Sequence, residues 1–171
     1  MDYKKFREIF RGLDRAYGVY YKGETKENGK LSGKAYIKKE PLLEEYYQDH
    51  LLGKDPSLGI VPIMDDSNCF WGCCDIDKYP LDFKAIIKKL KIKKIPMSVC
   101  RSKSGGAHLF LFTKQSVPAV TMRNKLYEIA AYLGYADCEI FPKQTEIKAD
   151  RGDTGNFLNL PYHGGDESMR Y

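Results

Sequence analysis

The chain has 171 residues, 43% of them hydrophobic and 30% charged, which excludes a disordered segment and suits one domain with a single substantial core. A net charge of +5 favours anionic partners, and no apolar run approaches the length of a membrane span. The opening "MDYKKFREIF" has no apolar signal core. Cys69, Cys73, Cys74, Cys100 and Cys138 are odd in number and mostly sit in apolar runs, so reduced core thiols in a cytoplasmic protein are expected. The "CFWGCC" spacing does not supply a zinc ligand set.

Phe6, Ile9, Phe10, Leu13 and Tyr17 recur at helical spacing and predict a helix over 2–17, closed near Gly18. Residues 22–33, "KGETKENGKLSG", are polar and glycine-bearing and read as a loop or exposed turn. A short strand at "KAYIKK" and a helix over 41–52, ended by Gly53, follow. "SLGIVPI" and "CFWGCCDID" are apolar runs separated by "MDDSN", which predicts a hairpin.

Beyond residue 68 the order becomes simpler. Strand 69–76 is followed by a helix over 81–92 marked by Phe83, Ile86, Ile87 and Leu90. Strands at 96–100 and 107–112 flank the turn "RSKSGG". Pro118 can open a second helix that buries Met122, Leu126, Ile129, Ala130 and Leu133, and Gly134 can close it. "CEIF" at 138–141 is a final short strand, and "FLNLPY" alternates like another. The fold class is therefore α+β. A β-α-β-β-α-β unit of the ferredoxin-like or RNA-recognition-motif-like kind occupies 66–165, behind an N-terminal α/β part at 1–65.

In that topology the first strand lies mid-sheet, between the third and the fourth. Asp75 and Asp77 are two apart on it and share a face. His108 opens the third strand and Glu139 lies in the fourth, so the carboxylates and the imidazole can converge. Converging carboxylates repel unless a cation neutralises them, and hard ions such as Mg²⁺ or Mn²⁺ take oxygen ligands beside substrate phosphates. A D-x-D pair alone is equally a solvated strand end. The turn in "CRSKSGGAHLFLF" adds Arg101, Ser102, Lys103, Ser104, Gly105 and Gly106, a combination of cations, hydroxyls and approachable amides suited to an anion. Lys143 faces either a phosphate or water, and Asn156 and Asn159 are turn formers or nucleotide contacts. The run "KKLKIKK" reads as the solvated face of a helix or as a nucleic-acid patch.

"CCDIDKY", "CRSKSGGAHLFLF" and "EIFPKQ…GNFLNLPY" resemble, in this order, the three signature regions of the archaeo-eukaryotic primase superfamily. The likeness is to primase-polymerases of the TOTE conflict-system and CRISPR-associated kind, and it runs from about residue 35 to 162. The resemblance implies a template-dependent primase-polymerase that joins deoxy- or ribonucleoside triphosphates by two-metal nucleotidyl transfer with Mg²⁺ or Mn²⁺. By that likeness Asp75 and Asp77 are the metal-binding pair and His108 contacts the incoming nucleotide. Glu139 is the third acidic position, with Asp137 as its alternative, turned by the β period to the same face. Arg101, Ser102, Lys103, Ser104, Gly105, Gly106, Lys143 and Asn156 fall on the phosphate or nucleotide side. The turn before His108 is one residue shorter than the "RSRSGNGGH" common in TOTE-type members.

The implied partners are a single-stranded DNA template and a primer-template, met by a monomer that is prokaryotic, plasmid- or phage-encoded and carries no membrane anchor. Appended helicase, helical or CRISPR-type modules would lie beyond residue 171. The competing reading is a non-catalytic single-strand-binding module on the same topology, which wants aromatics rather than acids on its open sheet face. A rolling-circle nuclease wants paired histidines, and His50, His108 and His163 form no H-x-H pair.

Overall fold

The computed structural model describes residues 1–25 and 31–168. The Asp2 carboxylate accepts the Lys4 amide at 2.9 Å and so starts helix α1 (Tyr3–Ile9). The helix stops well short of the expected residue 17. Phe6 and Phe10 do enter the core, but Leu13 then donates its amide to the Val61 carbonyl at 3.0 Å and joins a different apolar cluster. Tyr17 already belongs to a strand, so the helical spacing of these residues is served by a helix, a connecting segment and a strand rather than by one helix.

Strands β1 (Tyr17–Thr25) and β2 (Leu31–Lys38) pair antiparallel, so the expected 22–33 loop is largely strand. Its tip, residues 26–30, lies outside the described residues. Helix α2 (Glu44–Leu51) falls within the expected 41–52, and β3 (Ser57–Ile60) pairs with β1. The anticipated hairpin is absent. β3 belongs to one sheet and β4 (Asn68–Ile76) to another, because Val61 to Ile63 cross between layers before a tight turn closes Met64 N–H onto the Asn68 carbonyl at 2.8 Å.

From β4 onward the order is α3 (Phe83–Ile92), β5 (Met97–Arg101), β6 (Ala107–Pro118), α4 (Ala119–Leu133) and β7 (Glu139–Phe141). The second sheet runs β5-β6-β4-β7, which is the mid-sheet placement of β4 that the β-α-β-β-α-β order implies. The chain then returns: β8 (Leu158–Asn159) adds to β3, giving the first sheet the order β2-β1-β3-β8. The tail thus belongs to the N-terminal sheet in space.

Side chains alternate across β4. Cys74 and Ile76 point to a layer of α3 and α4, where Ile86, Leu90, Met122, Leu126, Ile129 and Leu133 are buried. Each such side chain contributes about 1.5–3 kcal/mol. Trp71 and Cys73 point the other way, against Phe10 of α1, Tyr47 of α2, and Tyr17, Leu58 and Leu160 of the first sheet. All five cysteines are free thiols. Burial pushes the Cys100 thiol up to about 11 and Cys69 to about 12, as inert core residues require. No helix among the described residues is long and apolar enough to cross a membrane.

One polar group ties the layers together. His50 is fully buried; its Nδ1 accepts the Leu58 amide at 2.9 Å, so Nε2 carries the hydrogen and donates to the Pro161 carbonyl at 2.8 Å. His50→Ala leaves a buried donor and a buried acceptor unpaired. Chemical denaturation is expected to show a loss of about 2–4 kcal/mol, and a loss under about 0.5 kcal/mol would mean that water replaces both bonds.

Candidate active site

The register of the second sheet sets the site. Asp75 lies directly opposite His108 of β6 on one side and Glu139 of β7 on the other. It shares the face of Trp71 and Cys73, so its carboxylate points between the two sheets. His108 Nε2 stands 3.3 Å from Asp75 Oδ1, with side-chain exposures of 12% and 17%. The contact does not meet hydrogen-bond geometry, and Asp75 Oδ1 is buried without a hydrogen-bond partner among the described residues. An acceptor in that state is costly unless something positive or protic meets it.

Asp77 follows just beyond the end of β4. Its Oδ1 accepts the Tyr79 hydroxyl at 2.9 Å and the Ser104 hydroxyl at 3.4 Å. Burial, joined by the Asp77 carboxylate, pushes the Tyr79 phenol up. Ser102 and Ser104 hydroxyls lie 3.2 Å apart, completing a chain from Asp77 into the turn.

The turn between β5 and β6 is closed by Ser102 N–H on the Gly106 carbonyl at 2.8 Å and Gly105 N–H on the Ser102 carbonyl at 3.1 Å. Gly105 has φ +93°, and a Cβ on Gly106 would lie 2.2 Å from the Ile76 carbonyl oxygen. Both glycines are required where the turn folds back onto the end of β4. Lys103 reaches across the mouth of the site, its ammonium 3.3 Å from the centre of the Tyr20 ring on β1.

Part of this set lines a cleft of about 250 Å³ between the sheets. Asp75, Asp77, His108 and the segment Arg101–Ser104 form one wall. Ala35 of β2 and the segment Phe157–Pro161 around β8 form the other. Asn159 Oδ1, in that second wall, is also buried with no hydrogen-bond partner among the described residues.

The remaining sequence candidates lie outside this lining. Glu139 opposes Asp75 by register, but its carboxylate is 61% exposed and pairs with Lys143 at 2.8 Å. Asp137 precedes β7 rather than sharing its face, which corrects the expectation from the β period. Lys78, at 2.9 Å, holds its carboxyl below the ordinary value. Asn156 is engaged with Gln144: its Oδ1 accepts from Gln144 Nε2 at 2.6 Å and its backbone N–H donates to Gln144 Oε1 at 3.0 Å. Sequence reasoning offered both Asn156 and Asn159 and placed only Asn156 on the nucleotide side, where the cleft presents Asn159; it did not single out Tyr20 or Tyr79. The position of Tyr79, two residues after Asp77, was the available signal.

Among the described residues, no three His, Cys, Asp or Glu side chains stand together as an ion site. Asp75 and Asp77 nonetheless fit a hard cation: two carboxylates border one cleft, and one of them has a buried oxygen that accepts no hydrogen bond. Glu139, held by Lys143, does not complete that set in this arrangement.

No curated protein matches the chain significantly. The model of the archaeo-eukaryotic primase domain of the TOTE conflict system matches residues 14–170. That span takes in both sheets, both walls of the cleft and every candidate residue, and the chain belongs to this primase family, whose members are nucleotidyltransferase-like.

Proposed function

We propose that the cleft binds a nucleoside triphosphate and adds it to a strand paired with a DNA template, releasing pyrophosphate. The observation that carries this reading is the buried Asp75 carboxylate oxygen, which accepts no hydrogen bond and has His108 Nε2 3.3 Å away, set beside Asp77 and facing a turn rich in phosphate-binding groups. Asp75 and Asp77 would hold Mg²⁺ or Mn²⁺, which would supply neutralisation of the negative charge that develops during transfer. Glu139 joins as third carboxylate if Lys143 moves from it to a phosphate, an exchange that the exposure of their ion pair permits.

The chain's own groups then divide the work. Arg101 and the hydroxyls of Ser102 and Ser104 hold the triphosphate, and His108 donates to it from Nε2. Lys103, supported by the Tyr20 ring, closes over the mouth and limits water. Asn159 hydrogen-bonds a hydroxyl of the sugar, which can donate to Oδ1 and accept from Nδ2. The exposed pair Tyr21 and Tyr36, with rings 6.1 Å apart beside Lys34, suits stacking of template bases.

The test is an extension assay on primed and unprimed templates with each nucleotide type, in Mg²⁺, in Mn²⁺ and with chelator. Metal-dependent, template-directed incorporation supports the reading. Nucleotide binding without a divalent requirement and without incorporation favours a binding module instead. Within that assay, Asn159→Ala is expected to raise the nucleotide KM about tenfold, the worth of one lost hydrogen bond in a dry site, while Asn156→Ala changes it less than about twofold. Equal effects would refute the assignment of Asn159 to the sugar.

A further inference from the structure

The run "KKLKIKK", which the cleft does not use, forms the exposed side of α3. The helix and its C-terminal turn carry Lys84, Lys88, Lys89, Lys91, Lys93 and Lys94, all exposed, with no acidic residue between Phe83 and Met97. These six lysines exceed the whole net charge of +5, so the protein's positive excess resides on this one element. The helix buries only Ile86 and Leu90, on the sheet face opposite Asp75. The surface is therefore separate from the cleft.

Lys84, Lys88 and Lys91 follow the i, i+4, i+7 spacing and form one stripe along a helix about 15 Å long. Among the described residues no carboxylate pairs with any of the six. Lys89 Nζ donates to the Leu133 carbonyl at 2.9 Å, and Lys93 stands 5.7 Å from the Tyr132 ring, which ties the edge of the patch to α4. A helix face that merely keeps the protein soluble mixes signs, as α4 does with its Lys125–Glu128 pair at 2.9 Å. On α3, like charges at i, i+4 repel with no acid to relieve them, a cost that an anionic partner removes.

We propose that α3 is a second nucleic-acid surface, which binds the phosphodiester backbone behind the catalytic sheet without reading sequence. Flexible ammonium groups along a convex helix match a line of phosphates better than a shaped pocket, and the groove of about 280 Å³ between α3 and β5, running from Ile87 to Val99, takes in only Lys91 of the stripe. A membrane surface fits less well, because the apolar side of α3 is consumed against the sheet and only Ile87 and Ile92 remain exposed.

The test uses the full chain carrying Lys84→Gln, Lys88→Gln and Lys91→Gln together. Glutamine has a helix propensity close to that of lysine, and these positions are exposed, so the fold should be retained and circular dichroism checks it. Binding of a labelled mixed-sequence duplex and of a single strand is measured across a salt series. The expected result is a fall in affinity of about tenfold or more, with the log–log salt slope for the duplex smaller by about 3. The triple arginine variant at the same positions should bind as the parent does.

Binding of a fluorescent nucleotide with Mn²⁺ should be the same in parent and glutamine protein. The test does not depend on that reading of the cleft, since a protein without nucleotide affinity would still show the duplex effect. Unchanged affinity and slope would overturn the proposal. So would tighter binding of the parent to anionic phospholipid vesicles or to polyglutamate than to the duplex.

Discussion

An Asp75→Asn protein is expected to lose about a thousandfold or more of nucleotide incorporation while melting at or slightly above the parent temperature. The two halves of this prediction come from the same atom. Asp75 Oδ1 is buried, accepts no hydrogen bond, and meets His108 Nε2 only at 3.3 Å, outside hydrogen-bond geometry. A charge so placed costs folding free energy, and the neutral amide removes that cost. The same charge is what the proposed chemistry needs, because an amide oxygen is a far weaker partner for a hard divalent ion. Rate is read by primer extension at saturating nucleotide and stability by thermal melting. A variant that retained incorporation within about tenfold would sink the catalytic assignment. A variant that lost activity together with several kcal/mol of stability would make Asp75 a structural residue whose partner is His108.

The sequence made the position of that atom legible and left its surroundings obscure, for physical reasons. The alternation through β4 and the buried positions of α4 are local periodic signals, and they held residue by residue from Met122 to Leu133. Strand order then followed from β-α-β-β-α-β connectivity, which put Asp75 between His108 and Glu139 in the observed register. What pattern could not convey is which polar atoms satisfy one another. Glu139 and Lys143 are four residues apart and pair away from the cleft, and Asp137 is taken by Lys78 from a different loop.

The second wall of the cleft depends on β8 finding β3, with Leu158 opposite Ile60, a pairing across nearly the whole catalytic part of the chain. No local signal carries that information, so Asn159 could not be preferred to Asn156. The N-terminal helix failed for the opposite reason. Its apolar spacing was real, but Leu13 is buried in a different cluster from Phe10 and Tyr17 once its amide bonds to Val61. Periodicity reports burial, and burial does not require a single helix.

The turn after β5 makes the second large prediction, which compares two adjacent glycines. Gly105 adopts φ +93°, but a Cβ there would meet nothing closer than 3.9 Å. Gly105→Ala therefore costs conformational strain alone, about 1–2 kcal/mol, and should leave nucleotide affinity within a few-fold. Gly106 is different in kind. Its Cβ would lie 2.2 Å from the Ile76 carbonyl oxygen and 3.2 Å from Asp77 Oδ1. The first of these atoms is backbone inside the sheet and cannot yield, so the turn itself must lift. Lifting breaks the Ser102 N–H bond to the Gly106 carbonyl and draws Ser104 from Asp77. Gly106→Ala should thus lose about 2–4 kcal/mol of stability and raise the nucleotide KM by at least about tenfold. Paired melting curves and nucleotide titrations decide the matter. If the two alanines behaved alike, the close approach of the turn to β4 would not be what aligns its hydroxyls with Asp77.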